Sequence, residues 1–267
     1  MKGELLFLGT GASSGVPVVA CLCDVCRSSS SYNKRLRPAA LLRVNEKQIL
    51  IDAGPDLRQQ ALQHKINALD GVILTHSHYD HVGGIDDLRV YYLINGQPLP
   101  CLASKETYNE IRTRAPYFFS PKQEEKSLPA QLAFQCLNED FGAASFAGLK
   151  LHIVSYTQGG QKVTGFRLGN MAFVSDIRQF SPRVIEEIKG VKVLVISALR
   201  KTKSLMHLNI DEAIDFSLDV GAAKTWFTHL SHEVDHESVL RELPWNVSLA
   251  YDGLAIHFEL SAKDLSS

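Results

Sequence analysis

The stretch His76-Ser77-His78-Tyr79-Asp80-His81 puts four metal-competent side chains within six residues, between the apolar run Val72-Ile73-Leu74 and Gly83-Gly84. The apolar run reads as a short buried strand, and the glycines mark the turn beyond the cluster. In extended chain, positions two apart point the same way, so His76 and His78 can grip one ion together. Asp80 and His81 come as the chain turns towards a helix, and they face a neighbouring position. Neutral imidazole and carboxylate suit zinc, manganese or iron. One divalent ion holding a water, or two sharing it, lowers the water's pKa far enough for attack at neutral pH. A polar turn that merely contains histidines is the plainer reading; four ligands crowded at one strand end speak against it.

Around this cluster the composition is ordinary. At 267 residues, with 45% hydrophobic and 21% charged side chains, the chain reads as a soluble globular protein able to bury a substantial core. A formal charge of −1 and a pI near 6.8 give no basic surface to recruit nucleic acid or an anionic membrane. No apolar stretch is long enough to span a bilayer. The run Leu5-Leu6-Phe7-Leu8 is too short for a signal-peptide core and reads as a first strand, so the expected location is cytoplasmic. Three of the five cysteines fall together at Cys21, Cys23 and Cys26, too close for a disulfide framework and well spaced for a metal. Structural zinc is usually tetrahedral and needs a fourth ligand, for which His232 is the candidate. Cys101 and Cys136 are isolated and read as buried packing residues.

Short strands alternate with helices through the chain. Glu4 to Leu8 is followed by the glycine-punctuated loop Gly9 to Gly15, which either cradles phosphate by its backbone N–H groups or is a tight turn towards the site. Ala39 to Val44 and Gln48 to Ile51 read as a hairpin, with Pro55 opening a helix through His64, a residue expected at the surface. Asp52, at the end of that hairpin, either supports a ligating imidazole or caps the helix. Leu99 to Ala103 reads as a strand and Lys105 to Arg114 as a helix, whereas 115–140 has the weakest pattern and no assigned role. Lys150 to Val154, Gly165 to Leu168, Met171 to Val174, Val193 to Ser197, Lys224 to Thr228 and Leu254 to Phe258 read as strands, and Pro182 to Ile188 as a helix. Asn209 caps a helix to Val220, with Glu212 three residues on. Without a linker or repeat, residues 1–267 read as one domain.

The His76–His81 stretch resembles the HxHxDH signature of the metallo-β-lactamase superfamily. The resemblance implies an α/β (α+β) fold, a four-layer αββα sandwich with a metal cleft at the edge of two sheets. It further implies that Asp176, after Ala172 to Ser175, bridges two metals, and that His229 completes the second site. The Leu-Gly-Thr-Gly start, the CxCxxC, the HxHxDH and Thr228-His229-Leu230-Ser231-His232 together resemble the PhnP branch, cyclic-phosphate phosphodiesterases. Weaker local similarity links the start to PqqB and, more distantly, to tRNase Z. The PhnP resemblance implies one structural zinc on Cys21, Cys23, Cys26 and His232, one or two catalytic zinc or manganese ions, and a homodimer. It also places His207 over the substrate phosphate as a proton donor, the alternative being a surface histidine at a helix start. Arg200, Lys201 and Lys203 either attract an anionic substrate or are simply solvated.

One departure matters. The family's third ligand to the first metal, a histidine after the strand Leu151 to Val154, is missing; Gln158 sits closest to its place and His152 lies too early. The first site keeps His76, His78 and Asp176, and the second keeps Asp80, His81, Asp176 and His229. The reading is therefore a metal-dependent phosphodiesterase acting on a small cyclic or nucleotide-like diester, with water oriented by Asp80 and the leaving group assisted by His207. Alternatives are another hydrolase of the superfamily, a nuclease or thioester hydrolase, or a non-catalytic PqqB-like binder on a decayed site. No extended RNA-gripping arm is evident.

Overall fold

A computed structural model describes residues 1–119 and 129–266. The stretch Pro121 to Lys126, within the segment left without a role, lies outside the described residues. Fourteen strands are found among the described residues: β1 Lys2–Gly9, β2 Ala39–Val44, β3 Lys47–Ile51, β4 Gly71–Leu74, β5 Leu99–Ser104, β6 Leu132–Leu137, β7 Phe141–Phe146, β8 Leu149–Gln158, β9 Gln161–Leu168, β10 Met171–Val174, β11 Val193–Ser197, β12 Lys224–Thr228, β13 Val247–Leu249 and β14 Ala255–Glu259. They form two seven-stranded sheets, β14-β1-β2-β3-β4-β5-β6 and β13-β12-β11-β10-β9-β8-β7. Each sheet is mixed. Antiparallel pairing through β1, β2 and β3 gives way to parallel pairing through β4, β5 and β6. In the second sheet, β7 to β10 are antiparallel and β10 to β13 parallel.

Strand alternation explains the layering. Along β2 and β3, Leu42, Ile49 and Ile51 join Phe166 and Phe173 of the second sheet in an inner core. Their neighbours Leu41 and Leu50 point the other way, into a core with Leu57, Ile85, Tyr91 and Ile111 from covering helices. A third core packs β10 and β11 against Val184, Ile188, Ala213 and Phe216 of the helices Pro182–Ile188 and Ile210–Val220. Strands buried on both faces read as continuous apolar runs, which is why β4, β10 and β11 were legible. The result is helix, sheet, sheet, helix. No described helix is long and apolar enough to cross a membrane.

The differences from expectation lie where this pattern is weak. β6, within 115–140, is a half-covered edge strand, and β7 carries Gly142, Ala143, Ala144 and Ser145, poor strand formers. Cys136 on β6 is accordingly half-buried, whereas Cys101 on β5 is buried. Strand β13 and the helix His236–Leu240 are short and carry no clear period. The helix after β3 spans Leu57–Gln63 with Asp56 at its N-cap, so Pro55 precedes it. His64 is half-buried at its end, and burial pushes its pKa down.

Gly54 sets how closely the site's loops can stack. A Cβ on Gly54 would stand 2.1 Å from the Asp80 carbonyl oxygen, and the Ala53 N–H donates to the His81 carbonyl at 2.7 Å. Backbone therefore lies on backbone, with no flexible side chain to yield. Gly54→Ala should cost about 3 kcal/mol, the upper end for overpacking, and should lower the thermal midpoint and metal retention together. A variant with unchanged melting would show that the two loops can separate freely.

Candidate metal centre

The site's side chains leave the carboxyl ends of strands. Asp52, Asp176 and His229 follow β3, β10 and β12, and each takes left-handed backbone, with φ of 62°, 53° and 58°. Such backbone is uncommon outside glycine and persists where surrounding structure fixes it. Here it turns three buried side chains off their strands towards the His76–His81 loop, whose chain re-enters a short helix at Tyr79–Val82.

Asp52 braces that loop. Its carboxylate accepts from the Thr75 backbone N–H at 2.8 Å and from the Thr75 hydroxyl at 2.9 Å. His81 Nδ1–H donates to Asp52 Oδ2 at 2.6 Å, leaving Nε2 towards the cleft. The Thr75 hydroxyl has one proton, which goes to Asp52, so it accepts from His76 Nδ1–H at 3.0 Å. His76 thus also presents a bare Nε2. Asp52 caps no helix.

The remaining groups converge. His81 Nε2 lies 2.7 Å from Asp176 Oδ2 and 3.4 Å from Asp80 Oδ2. His229 Nε2 lies 3.1 Å from Asp176 Oδ1 and 3.4 Å from Asp80 Oδ2. His76 Nε2 is 3.0 Å from His78 Nδ1 and 3.9 Å from Asp176 Oδ2. Ligand atoms of a tetrahedral zinc stand roughly 3.3 Å apart, so these separations fit shared cations. Asp176 Oδ1 and His81 Nε2 are buried without a hydrogen-bond partner. An imidazole lone pair against a carboxylate is repulsive unless a proton or metal ion lies between them. The donor set therefore fits divalent metal.

The carboxylates favour positive charge between these groups, which a proton or a cation can supply. Burial opposes charge on His81, but Asp176 and Asp52 push its pKa well above the usual histidine value. Burial likewise opposes the Asp80 carboxylate, yet His229 and His81 hold it far below the usual range, and they do the same for Asp176. Burial is the main cause that lowers His76 and His78, keeping both neutral and ready as ligands.

A second cluster lies at the other end of the Thr228–His232 loop. His232 Nδ1 stands 3.2, 3.5 and 3.6 Å from the sulfurs of Cys21, Cys23 and Cys26. Sulfur and nitrogen ligands of a tetrahedral zinc are separated by roughly 3.6 Å. The Cys26 backbone N–H, opposed by burial and helped by His232, draws the Cys23 thiol down to about 6, towards the thiolate that binds metal. The glycine loop is a tight turn. Thr10, Gly11, Ala12 and Gly15 donate their N–H groups to Asp252, Leu36, Leu230 and Ala12, so most of the loop's amides are already engaged.

A cavity of about 320 Å³ opens over His78, Asp80, Asp176, His207 and His229, with Gln158, Arg114, Tyr79, Ser13 and Met206 completing its wall. A larger groove of about 510 Å³ lies between the helices Leu57–Gln63 and Arg89–Asn95, but it holds none of the metal-competent residues. His207 Nδ1 is 3.1 Å from Asp176 Oδ1, and its ring stacks on His229, so it is no surface histidine. Gln158 is buried with Nε2 3.0 Å from His207 Nε2. His152 instead pairs with Glu187 at 2.7 Å, outside the cleft. Arg200 and Lys201 pair with Glu233 and Glu242, each at 2.6 Å, so neither is a free attractor of substrate. Arg114 and Thr75 were missed. An arginine in a helix's last turn is ordinary, and nothing local marks its place on the cleft wall.

A family model described as "Beta-lactamase superfamily domain" matches residues 47–230. The fold is similar to the crystal structure of a new diphosphatase from the PhnP family, with TM-score 0.89, 33% identity, and coverage of 97% of this chain and 98% of that one. Zinc-bound PqqB from Methylobacterium extorquens shares the fold at TM-score 0.72 and 19% identity, covering 95% and 99% of the two chains. An octanoyltransferase of Porphyromonas gingivalis is 36% identical over 252 residues, 93% of this chain but 50% of that protein. The chain thus spans half the length of that relative. Strand-end aspartates and histidines around one cleft, two mixed sheets and these matches agree, and the chain belongs to the metallo-β-lactamase superfamily, on its PhnP-like branch.

Proposed function

We propose that the chain is a metal-dependent hydrolase that cleaves small cyclic or nucleotide-like phosphodiesters. The observation that carries the reading is the clustering of His76, His78, Asp80, His81, Asp176 and His229, of which His78, Asp80, Asp176 and His229 line one cavity. Asp80, His81, Asp176 and His229 would hold one divalent ion, and His76, His78 and Asp176 a second. Zinc or manganese bound there supplies Lewis acidity and activated water. Asp80, kept ionised by its histidines, accepts a hydrogen bond from the attacking water and orients it. His207 also lines the cavity, and in this reading it is the group that would donate to the leaving oxygen. The phosphodiester assignment also draws on likeness to the PhnP-family diphosphatase.

The superfamily also admits a second reading, hydrolysis of an acyl thioester by the same centre. Bis(p-nitrophenyl) phosphate and an acyl-thioester analogue, each with added manganese or zinc, separate the two. Turnover of the diester that falls at least about a hundredfold in Asp80→Ala is expected. Diester turnover surviving in that variant would remove Asp80 from the reaction, and a fully silent, folded, metal-loaded protein would favour a non-catalytic binder.

Gln158 sets the metal count. Its Nε2 is turned to His207, and its buried Oε1 has no hydrogen-bond partner. A neutral amide is a poor zinc ligand and favours harder ions. The expected content is one structural zinc and one tightly held catalytic ion per chain, with a further ion taken up by Gln158→His. Metal analysis that finds two tight catalytic ions in the unsubstituted protein would refute this.

The cysteine cluster is assigned a structural zinc. Cys23→Ser should lose that zinc and lower the melting midpoint by roughly 5 °C or more, a larger effect than on turnover of the surviving folded protein. Unchanged melting would count against a structural metal.

A further inference from the structure

Beside the metal cavity lies a second one of about 200 Å³, and the two share Tyr79 and Arg114 in their walls. Val82, Ile85, Ile111 and Phe118 give the second cavity an apolar lining, and Tyr117 stands at its side, half exposed. Joined, the two volumes fall within the roughly 300–1,000 Å³ of small-molecule sites.

The shared wall is held in place. Tyr79 is 69% exposed, yet its ring lies on Gly83, where a Cβ would meet it at 2.7 Å. Arg114 donates to the Ser77 carbonyl at 2.6 Å and to Glu110 at 2.7 Å, which ties the end of its helix to the metal loop. Glu110 also accepts from the Ser77 hydroxyl at 2.6 Å. The guanidinium is half exposed although Glu110 pairs its charge, and the contacts to Ser77 and Glu110 take two of its five N–H groups, so its plane can still stack and donate to an anion. Asp86 borders the same cavity; its carboxylate accepts the Ala130 N–H at 3.4 Å and lies 3.7 Å from Arg89, and a carboxylate so engaged still has lone pairs for a ring N–H group.

We propose that this second cavity is a base subsite. A flat, amine-bearing ring of nucleobase type enters it against Tyr79, Tyr117 and Phe118, while Arg114 binds an anionic group at the junction with the metal cleft. The proposal rests on the phosphodiester reading and narrows its substrate class to nucleotide-like diesters. Aromatic side chains and a guanidinium plane favour a π-system over a saturated acyl chain, whose burial would need neither.

Calorimetric titration of the metal-loaded full chain with adenosine 5′-phosphate and with ribose 5-phosphate tests it. The nucleotide should bind at least about tenfold more tightly, the value of one good base–aromatic stack. Tyr117→Ala and Tyr79→Ala should each shrink that ratio to about threefold or less, and Tyr117→Phe should retain it. Arg114→Gln should weaken both ligands. Equal affinity for the two ligands, no binding of either, or a ratio preserved in both alanine variants would overturn the subsite. Diester turnover by the unsubstituted protein, measured separately, reports on the reaction itself. A chain that hydrolyses diesters with no ring preference keeps its function and loses the subsite; one that prefers the nucleotide but cleaves no diester does the reverse.

Discussion

The cleft depends on one buried carboxylate. Asp52 takes hydrogen bonds from Thr75 and His81 at the point where β3 and β4 end side by side. Through His81 it fixes one imidazole directly, and through Thr75 it fixes the tautomer of His76. A ligating ring aimed by a second hydrogen bond needs little reorganisation when metal arrives. The close backbone contact between Gly54 and Asp80 lets this bracing happen at short range.

Around that brace the two sheets divide the labour. The first sheet supplies His76, His78, Asp80 and His81 from the end of β4, and the second supplies Asp176 and His229 from β10 and β12. Thr164 on β9 donates its N–H to the Thr75 carbonyl at 2.8 Å, so the sheets are joined at the cleft itself. The Thr228–His232 loop adds a link between the cleft and the cysteine cluster, since His229 faces one and His232 the other. The two clusters therefore draw on side chains three residues apart on one loop.

Much of this was legible because local patterns and global fold agree. Apolar runs buried on both faces marked β4, β10 and β11, and ligand-type residues at strand ends marked the cleft. The capping box of Asn209 and Glu212 marked the helix behind His207. The segments that escaped notice, β6, β7 and β13, are edge strands or short ones, where half-exposed side chains leave no clear period. The basic run before His207 was left open for a different reason. Arg200 and Lys201 look free in the sequence, but their acidic partners lie more than thirty residues away along the chain.

The sequence by itself determined the metal-competent residue types, their delivery by strand ends, the cysteine cluster with its distant histidine, and the superfamily. These are short-range or motif-level properties, set by spacing and side-chain chemistry. Only the tertiary structure decided that Asp52 braces the loop, that Thr10, Gly11 and Ala12 of the glycine turn give their N–H groups to distant partners, and that Gln158 lies against His207. It also decided that Arg114 joins the cleft wall beside an aromatic cavity. Each of those depends on groups far apart in the chain, whose approach is set by packing of the two sheets and leaves no local signature in the sequence.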